Sequence, residues 1–167
     1  MSLLLTDRDE ESGNPIELIE KVAIANDWPY YRHSDDELAI EIEAQWTRYR
    51  VNYSWQAELG ILHISCPFDM KIQASHHDQI CQLLALANEK LWIGHFDFFW
   101  DDGVPMFRHA TLFREGTQAS VELIEDLLDI AVSECDRFYP AFQFVLWSGK
   151  TAKEAITNAL LETEGEA

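Results

Sequence analysis

The side chains best suited to chemistry in this chain are six histidines, His33, His63, His76, His77, His95 and His109. Two imidazoles share one side of a strand at HxH spacing and one side of a helix at HxxxH spacing, and neither pattern occurs. His76 and His77 are adjacent and diverge at a helix start. His95 and His109 fall on paired strands near Asp97, but on opposite faces. The three cysteines, Cys66, Cys81 and Cys135, form no CxxC and have no zinc-type histidine spacing. They read as reduced thiols packed as small apolar groups. The 30 acidic residues fall mostly in turns, helix starts and alternating surface positions, where solvation and helix-dipole complementarity account for them. Ser148-Gly149-Lys150-Thr151 ends like a phosphate loop but lacks the upstream glycine and the preceding strand, so it reads as a helix stop followed by a new cap. GxSxG, HExxH, the dinucleotide fingerprint and the EF-hand loop are all missing from the sequence. The expectation is a protein with no catalytic residue, no cofactor and no metal ligand, and therefore not an enzyme.

Charge narrows the partners. The formal net charge is −18 over 167 residues, which repels phosphate backbones and anionic membrane surfaces alike. Arg48 and Arg50 make the one basic pair, too few for a nucleic-acid stripe, so the reading is no nucleic acid and no membrane. Leu3-Leu4-Leu5 is followed at once by the acid-rich Thr6-Asp7-Arg8-Asp9-Glu10-Glu11 and is far short of a signal or membrane segment. Together with the reduced cysteines this points to a cytoplasmic protein. The length fits one domain, able to bury roughly 70% of its unfolded surface.

The elements that position these residues follow from periodicity. Residues 1–13 carry acidic residues without periodicity and read as a mobile tail, residues 14–161 as a single domain, and 162–167 as a second acidic tail. Asn14-Pro15-Ile16-Glu17 opens a helix with Asn as N-cap, Pro at N1 and Glu at N3. Leu38, Ile40 and Ile42 then alternate with Ala39, Glu41 and Glu43. Tyr49, Val51, Tyr53 and Trp55 alternate with Arg48, Arg50, Asn52 and Ser54, and Leu62, Ile64, Cys66 and Phe68 complete a three-strand meander. In this pairing Glu41 and Glu43 answer Arg48 and Arg50 on the solvent face. Ser75 and Asp78 mark a helix start whose apolar stripe, Ile80, Leu83, Leu84, Ala87 and Leu91, ends at Gly94. Ser120 caps a long helix along Leu123, Ile124, Leu127, Leu128, Ala131, Cys135 and Phe138. Pro140 either kinks that helix or begins another, and Thr151 with Glu154 caps a last one.

The aromatic stretch from Trp92 to Phe113 reads as a hairpin with Asp102-Gly103 as a two-residue type I′ turn. That turn pairs Phe99 with Met106, Phe98 with Phe107, Asp97 with Arg108 and Phe96 with His109. One face carries Phe96, Phe98, Trp100, Phe107 and His109, and the other carries Phe99 and Met106 beside the charged pair. Helix, antiparallel strands, helix, hairpin and helices in that order make an α+β pattern.

Phe68-Asp69-Met70-Lys71, Leu91-Trp92-Ile93-Gly94-His95-Phe96-Asp97, Met106-Phe107-Arg108-His109 and Tyr139-Pro140-Ala141-Phe142-Gln143-Phe144, taken in order, resemble the bacterial YbjN-domain family over about residues 14 to 165. The resemblance implies a fold like that of type III secretion chaperones, a twisted antiparallel sheet flanked by helices, and a role as a regulator or sensory-transduction protein. It brings no catalytic residue or cofactor to carry onto these positions.

Six tryptophans and nine phenylalanines exceed what one face of a small sheet must hide. The expected working surface is an apolar interface of Phe99, Met106, Phe142 and Trp147, since aromatic residues and Met are enriched in interfaces. It would serve a homodimer, or a protein or peptide partner, of a non-enzymatic, chaperone-like or regulatory protein. Two alternatives stay open at this point. The C-terminal helices of the same chain could cover the second sheet face, or a small-molecule pocket could lie between the hairpin and those helices, lined by Phe96, Phe98, Phe107, His109 and Tyr139.

Overall fold

The computed structural model describes residues 13–164, with side chains to residue 161. Apart from Gly13, the expected N-terminal tail lies outside the described residues, as do residues 165–167. The elements are α1 (Pro15–Ala25), β1 (Tyr30–Arg32), β2 (Glu37–Glu43), β3 (Arg48–Gln56), β4 (Ile61–Pro67), α2 (His77–Asn88), β5 (His95–Phe99), β6 (Val104–Leu112), α3 (Val121–Trp147) and α4 (Ala152–Glu164). The strands form one antiparallel sheet in the order β1-β2-β3-β4-β6-β5. This is the α+β architecture the periodicity predicts. The last helix continues past the expected boundary at Leu161 to Glu164.

Local chemistry sets most boundaries. The Asn14 side chain accepts from the Ile16 N–H at 2.9 Å, and Pro15 occupies the first helical position, where a missing N–H costs nothing. Ser120 accepts from the Leu123 N–H, while Thr151 and Glu154 cap each other reciprocally. Two boundaries differ from expectation. Ser75 lies inside a 3-10 turn, Ala74–His76, and caps nothing, so α2 begins two residues later. The same helix ends at Asn88 rather than at Gly94, because the Asn88 amide leaves the helix end to bond the edge strand, accepting from the Phe96 N–H at 2.7 Å and donating to its carbonyl at 3.0 Å. That clamp, with the Asp97 carboxylate on the Phe98 N–H, occupies backbone groups that an edge strand would otherwise offer to another chain.

The hairpin keeps the expected faces in a different register. Phe96 pairs with Phe107, Phe98 with Pro105, and Phe99 with Val104. The turn is a four-residue loop, residues 100–103, closed by the Gly103 N–H on the Phe99 carbonyl at 2.7 Å, and Gly103 alone in it has a positive φ of 67°. Asp102 does not take the left-handed conformation that a type I′ turn requires. The slip is two residues, an even number, so every side chain stays on its expected face.

α1, α2 and α3 pack on one face of the sheet, and α4 packs on α2 and α3. Ile16, Ile19 and Val22 of α1, Leu83 and Ala87 of α2, the stripe of α3 and Ala155 with Ala159 of α4 share one core with Leu38, Ile40, Tyr49, Val51, Tyr53, Leu62, Ile64, Cys66, Phe96 and Phe107. α3 is a single helix of 27 residues that runs through Pro140, which resolves the two readings of that proline. Its buried stripe continues past Pro140 through Phe142 and Val145. Asp136 on this helix ties down the β2–β3 turn, accepting from the Gln45 and Trp46 N–H groups and from the Tyr49 hydroxyl at 2.9 Å. Tyr139 donates to Asp69 at 3.0 Å, and Asp69 also accepts from Thr47 at 3.1 Å. Burial and this carboxylate push the Tyr139 phenol up to about 12.

Candidate functional site

Because the helices take one face, the opposite face of the sheet is open among the described residues. The alternation that buries Leu38, Tyr53 and Ile64 turns their neighbours outward. One row, Tyr31, Ala39, Asn52, Ser65, Arg108 and His95, crosses all six strands in direct register. Beside it run Glu37, Ser54, His63 and Ala110.

The expected interface residues do not form one surface. Phe99 and Met106 do lie on the open face, Phe99 exposed to 39% and Met106 nearly buried at 8%. Pro67 and Asp97 are the direct neighbours of Met106, and Val104 that of Phe99. Phe142 is a correction: it is wholly buried on the helical side, its ring 4.8 Å from that of Phe68 and 6.0 Å from that of Phe96. Trp147 is 71% exposed at the end of α3 in the helical layer, on the other side of the sheet from Phe99. The proposed aromatic pocket is likewise corrected. Phe96 packs edge-on against Phe107, Phe138 and Phe142, and Tyr139 against Phe68 and Tyr49, so these rings fill the core where the pocket was expected.

Polar groups on the open face are organised around three arginines. Arg48 takes two of the three glutamates of β2, Glu43 closely and Glu41 at 3.7 Å. Arg50 sits directly across from Glu41 yet makes no ion pair among the described residues. Its Nη2 donates to His33 Nε2 at 3.0 Å and its guanidinium lies 5.2 Å from the Tyr31 ring centre. The expected pairing of Arg50 with a glutamate therefore holds in register and fails in contact. Arg108 donates to Asp97 at 2.8 Å and to His63 Nε2 at 3.3 Å, and it lies 5.4 Å from the Phe99 ring centre.

A guanidinium only donates, so each of these histidines accepts at Nε2 and, when neutral, carries its proton on Nδ1. Burial, then the Arg108 charge, lowers the His63 pKa. Burial alone would raise the Asp97 carboxyl, but the Arg108 hydrogen bond and the Phe98 N–H outweigh it and hold it below the usual range.

Between the two arginine–histidine pairs lies a depression of about 290 Å³ lined by His33, Glu37, Asn52, Ser54, His63 and Ser65. Sequence reasoning placed Asn52 and Ser54 on a solvent face and went no further with them. The available signal was their small polar character in the middle of a sheet, between flanking strands that carry arginine and histidine. Among the described residues no three His, Cys, Asp or Glu side chains are grouped to hold a metal ion, and no helix is long and apolar enough to cross a membrane.

A six-stranded antiparallel sheet with helices on one face and a mixed polar and aromatic surface on the other defines the class. The chain belongs to the YbjN family, described as "Putative bacterial sensory transduction regulator", whose model matches residues 15–144. Among solved structures it is similar to E. coli YbjN, "a putative transcription regulator", at 8% identity with a TM-score of 0.51 over 93% of this chain and 95% of that one, a likeness of fold alone. No curated protein sequence matches the chain.

Proposed function

We propose that this protein is a non-enzymatic regulator that works by binding a protein partner, in the first instance a second copy of itself, through the hairpin end of the open sheet face. The observation that carries this is the one-sided cover of the sheet: among the described residues α1, α2 and α3 share one face, and Phe99, Val104, Pro67 and Met106 lie together on the other. An aromatic ring exposed beside Met and Pro on the sheet face fits the core of an interface, and the surrounding Arg48, Arg108, Asp97 and Glu43 fit its polar rim. Edge-to-edge strand addition at β5 is disfavoured by the Asn88 clamp, so face-to-face packing is the mode this geometry supports. The family's description as a sensory transduction regulator agrees with action by binding rather than catalysis.

Phe99→Asp tests the reading. It would place a carboxylate in the proposed contact, at a cost of several kcal/mol, roughly 3–5, if left unpaired there. Light scattering coupled to gel filtration is expected to show a wild-type dimer and a variant monomer with unchanged circular dichroism. A wild-type chain that stays monomeric at high concentration would rule out the self-association.

A further inference from the structure

On the open face one guanidinium is held from three sides. Arg108 Nη1 donates to Asp97 at 2.8 Å, its Nε donates to His63 Nε2 at 3.3 Å, and the guanidinium lies 5.4 Å from the Phe99 ring centre. Phe99 is the exposed ring of the proposed contact, so the side chain that lies against it is itself positioned by a histidine. The Arg108 bond to His63 exists only while Nε2 carries no proton, because a guanidinium donates and never accepts. Protonating His63 sets an N–H against an N–H and a positive charge beside a positive charge.

His63 is half-buried on β4, with Ser54 of β3 and Ala110 of β6 directly across from it. Neither neighbour carries charge. The charged and titratable groups around it are Arg108 and His109 of β6, the latter paired with core-facing Ile64 and so turned to the helical side, and His95 and Asp97 of β5. Across the depression stand Glu37 of β2 and His33, which accepts from Arg50. Burial first, then the charges of Arg108, His95 and His109, hold the His63 pKa below its ordinary value, while Asp97 is held below the usual carboxylate range. At neutral pH His63 is thus the uncharged acceptor that the hydrogen bond needs. Because its folded pKa is depressed, what the neutral ring contributes is complete above the unfolded value, about 6.5, and is lost as pH falls through the lower folded value, with Asp97 still ionised. The other such pair, Arg50 with His33, differs in both respects: His33 is exposed, and its arginine lies against Tyr31 instead of Phe99.

We propose that His63 is a pH-sensitive latch on the partner face: neutral, it holds Arg108 against Phe99, and protonated, it releases Arg108 and leaves two like charges beside that ring, so that acid weakens the contact. This rests on the partner-face reading above. In a two-fold contact the same surface meets itself, so the added charge stands on both copies and repels across the interface as well as within each chain. Acidification also lowers the net charge of −18 on the whole chain, which eases repulsion between copies and acts the other way. The latch is therefore read against a variant that lacks only the titrating group.

His63→Gln is that variant, since an amide oxygen accepts from Arg108 and does not titrate. Both proteins are followed from about pH 7.5 to about pH 5.0, a range that starts above the ordinary histidine pKa and ends well below it. NMR spectra of the wild type are expected to show His63 as the Nδ1–H tautomer at the top of the range, with the Arg108 Nε–H and Phe99 ring resonances moving along the His63 titration curve. In His63→Gln those movements are lost. Light scattering is expected to show the wild-type dimer weakening on acidification about tenfold or more relative to His63→Gln, the equivalent of one pKa unit of coupling. An Nε2–H tautomer, or Arg108 and Phe99 resonances that do not follow the His63 curve, would overturn the latch. The same pH dependence of assembly in both proteins would overturn its control of the contact. A wild type that is monomeric at every pH overturns the partner-face reading and that control with it, while the NMR arm, which needs no dimer, still decides the latch, so the two failures are read apart.

Discussion

Phe142→Ala is expected to lower the free energy of unfolding by about 3–5 kcal/mol, the usual cost of removing a buried aromatic ring. Phe142 is fully buried, and its ring meets those of Phe68 and Phe96, which in turn contact Tyr139, Phe107 and Phe138. Deleting it opens a cavity where α3 joins the sheet, and rigid rings collapse poorly into such a space. Against a total stability of roughly 5–15 kcal/mol for a domain, this is a large fraction. Equilibrium urea denaturation followed by circular dichroism measures it, as a lower midpoint with an unchanged slope. A loss below about 1 kcal/mol accompanied by a change in oligomeric state would return Phe142 to an interface and contradict the core placement.

Gly94→Ala is the second substitution with a large expected effect. Gly94 has φ +73°, where a side chain is strained, and an added Cβ would press into the Phe107 ring while standing 3.0 Å from the Arg108 carbonyl. Positive φ in a non-glycine residue costs about 1–3 kcal/mol, and overpacking adds a similar amount. Phe107 is itself buried against Phe96, so the ring has little room to yield. A drop of several kcal/mol, about 2–5 in the same denaturation experiment, is expected. A variant as stable as the wild type would mean that the α2–β5 connection takes another path.

The strands were legible because their alternation is clean. Leu38, Ile40, Tyr49, Val51, Leu62 and Ile64 all face the core as the period of two requires. The hairpin faces were legible for the same reason, but its register was not, since Asp-Gly serves both two-residue and longer loops and only the backbone angles of Asp102 choose between them. Phe142 could have been placed correctly. Cys135, Phe138, Phe142 and Val145 are spaced by three, four and three residues, so the α3 stripe runs through Pro140 without a break, and treating the proline as an open question severed it. Trp147 falls off that stripe, consistent with its exposure. Arg50 shows the other limit of sequence reasoning. Register puts it opposite Glu41, but its contacts are decided by Tyr31 and His33 at the sheet edge and by Arg48's hold on Glu41 and Glu43, a competition among long side chains that no periodicity encodes.

The central claim is that the sheet face free of helices is the working surface, and hydroxyl-radical footprinting across a dilution series, read by mass spectrometry, tests it most directly. Phe99 on the open face and Trp147 on the helical layer are both solvent-exposed in the single chain, to 39% and 71%, so each reports on its own side. The account predicts that both are oxidised in dilute solution and that Phe99 alone becomes protected as the protein is concentrated. Protection of Trp147 with Phe99 unchanged, or no protection of either at the highest concentration, would contradict it.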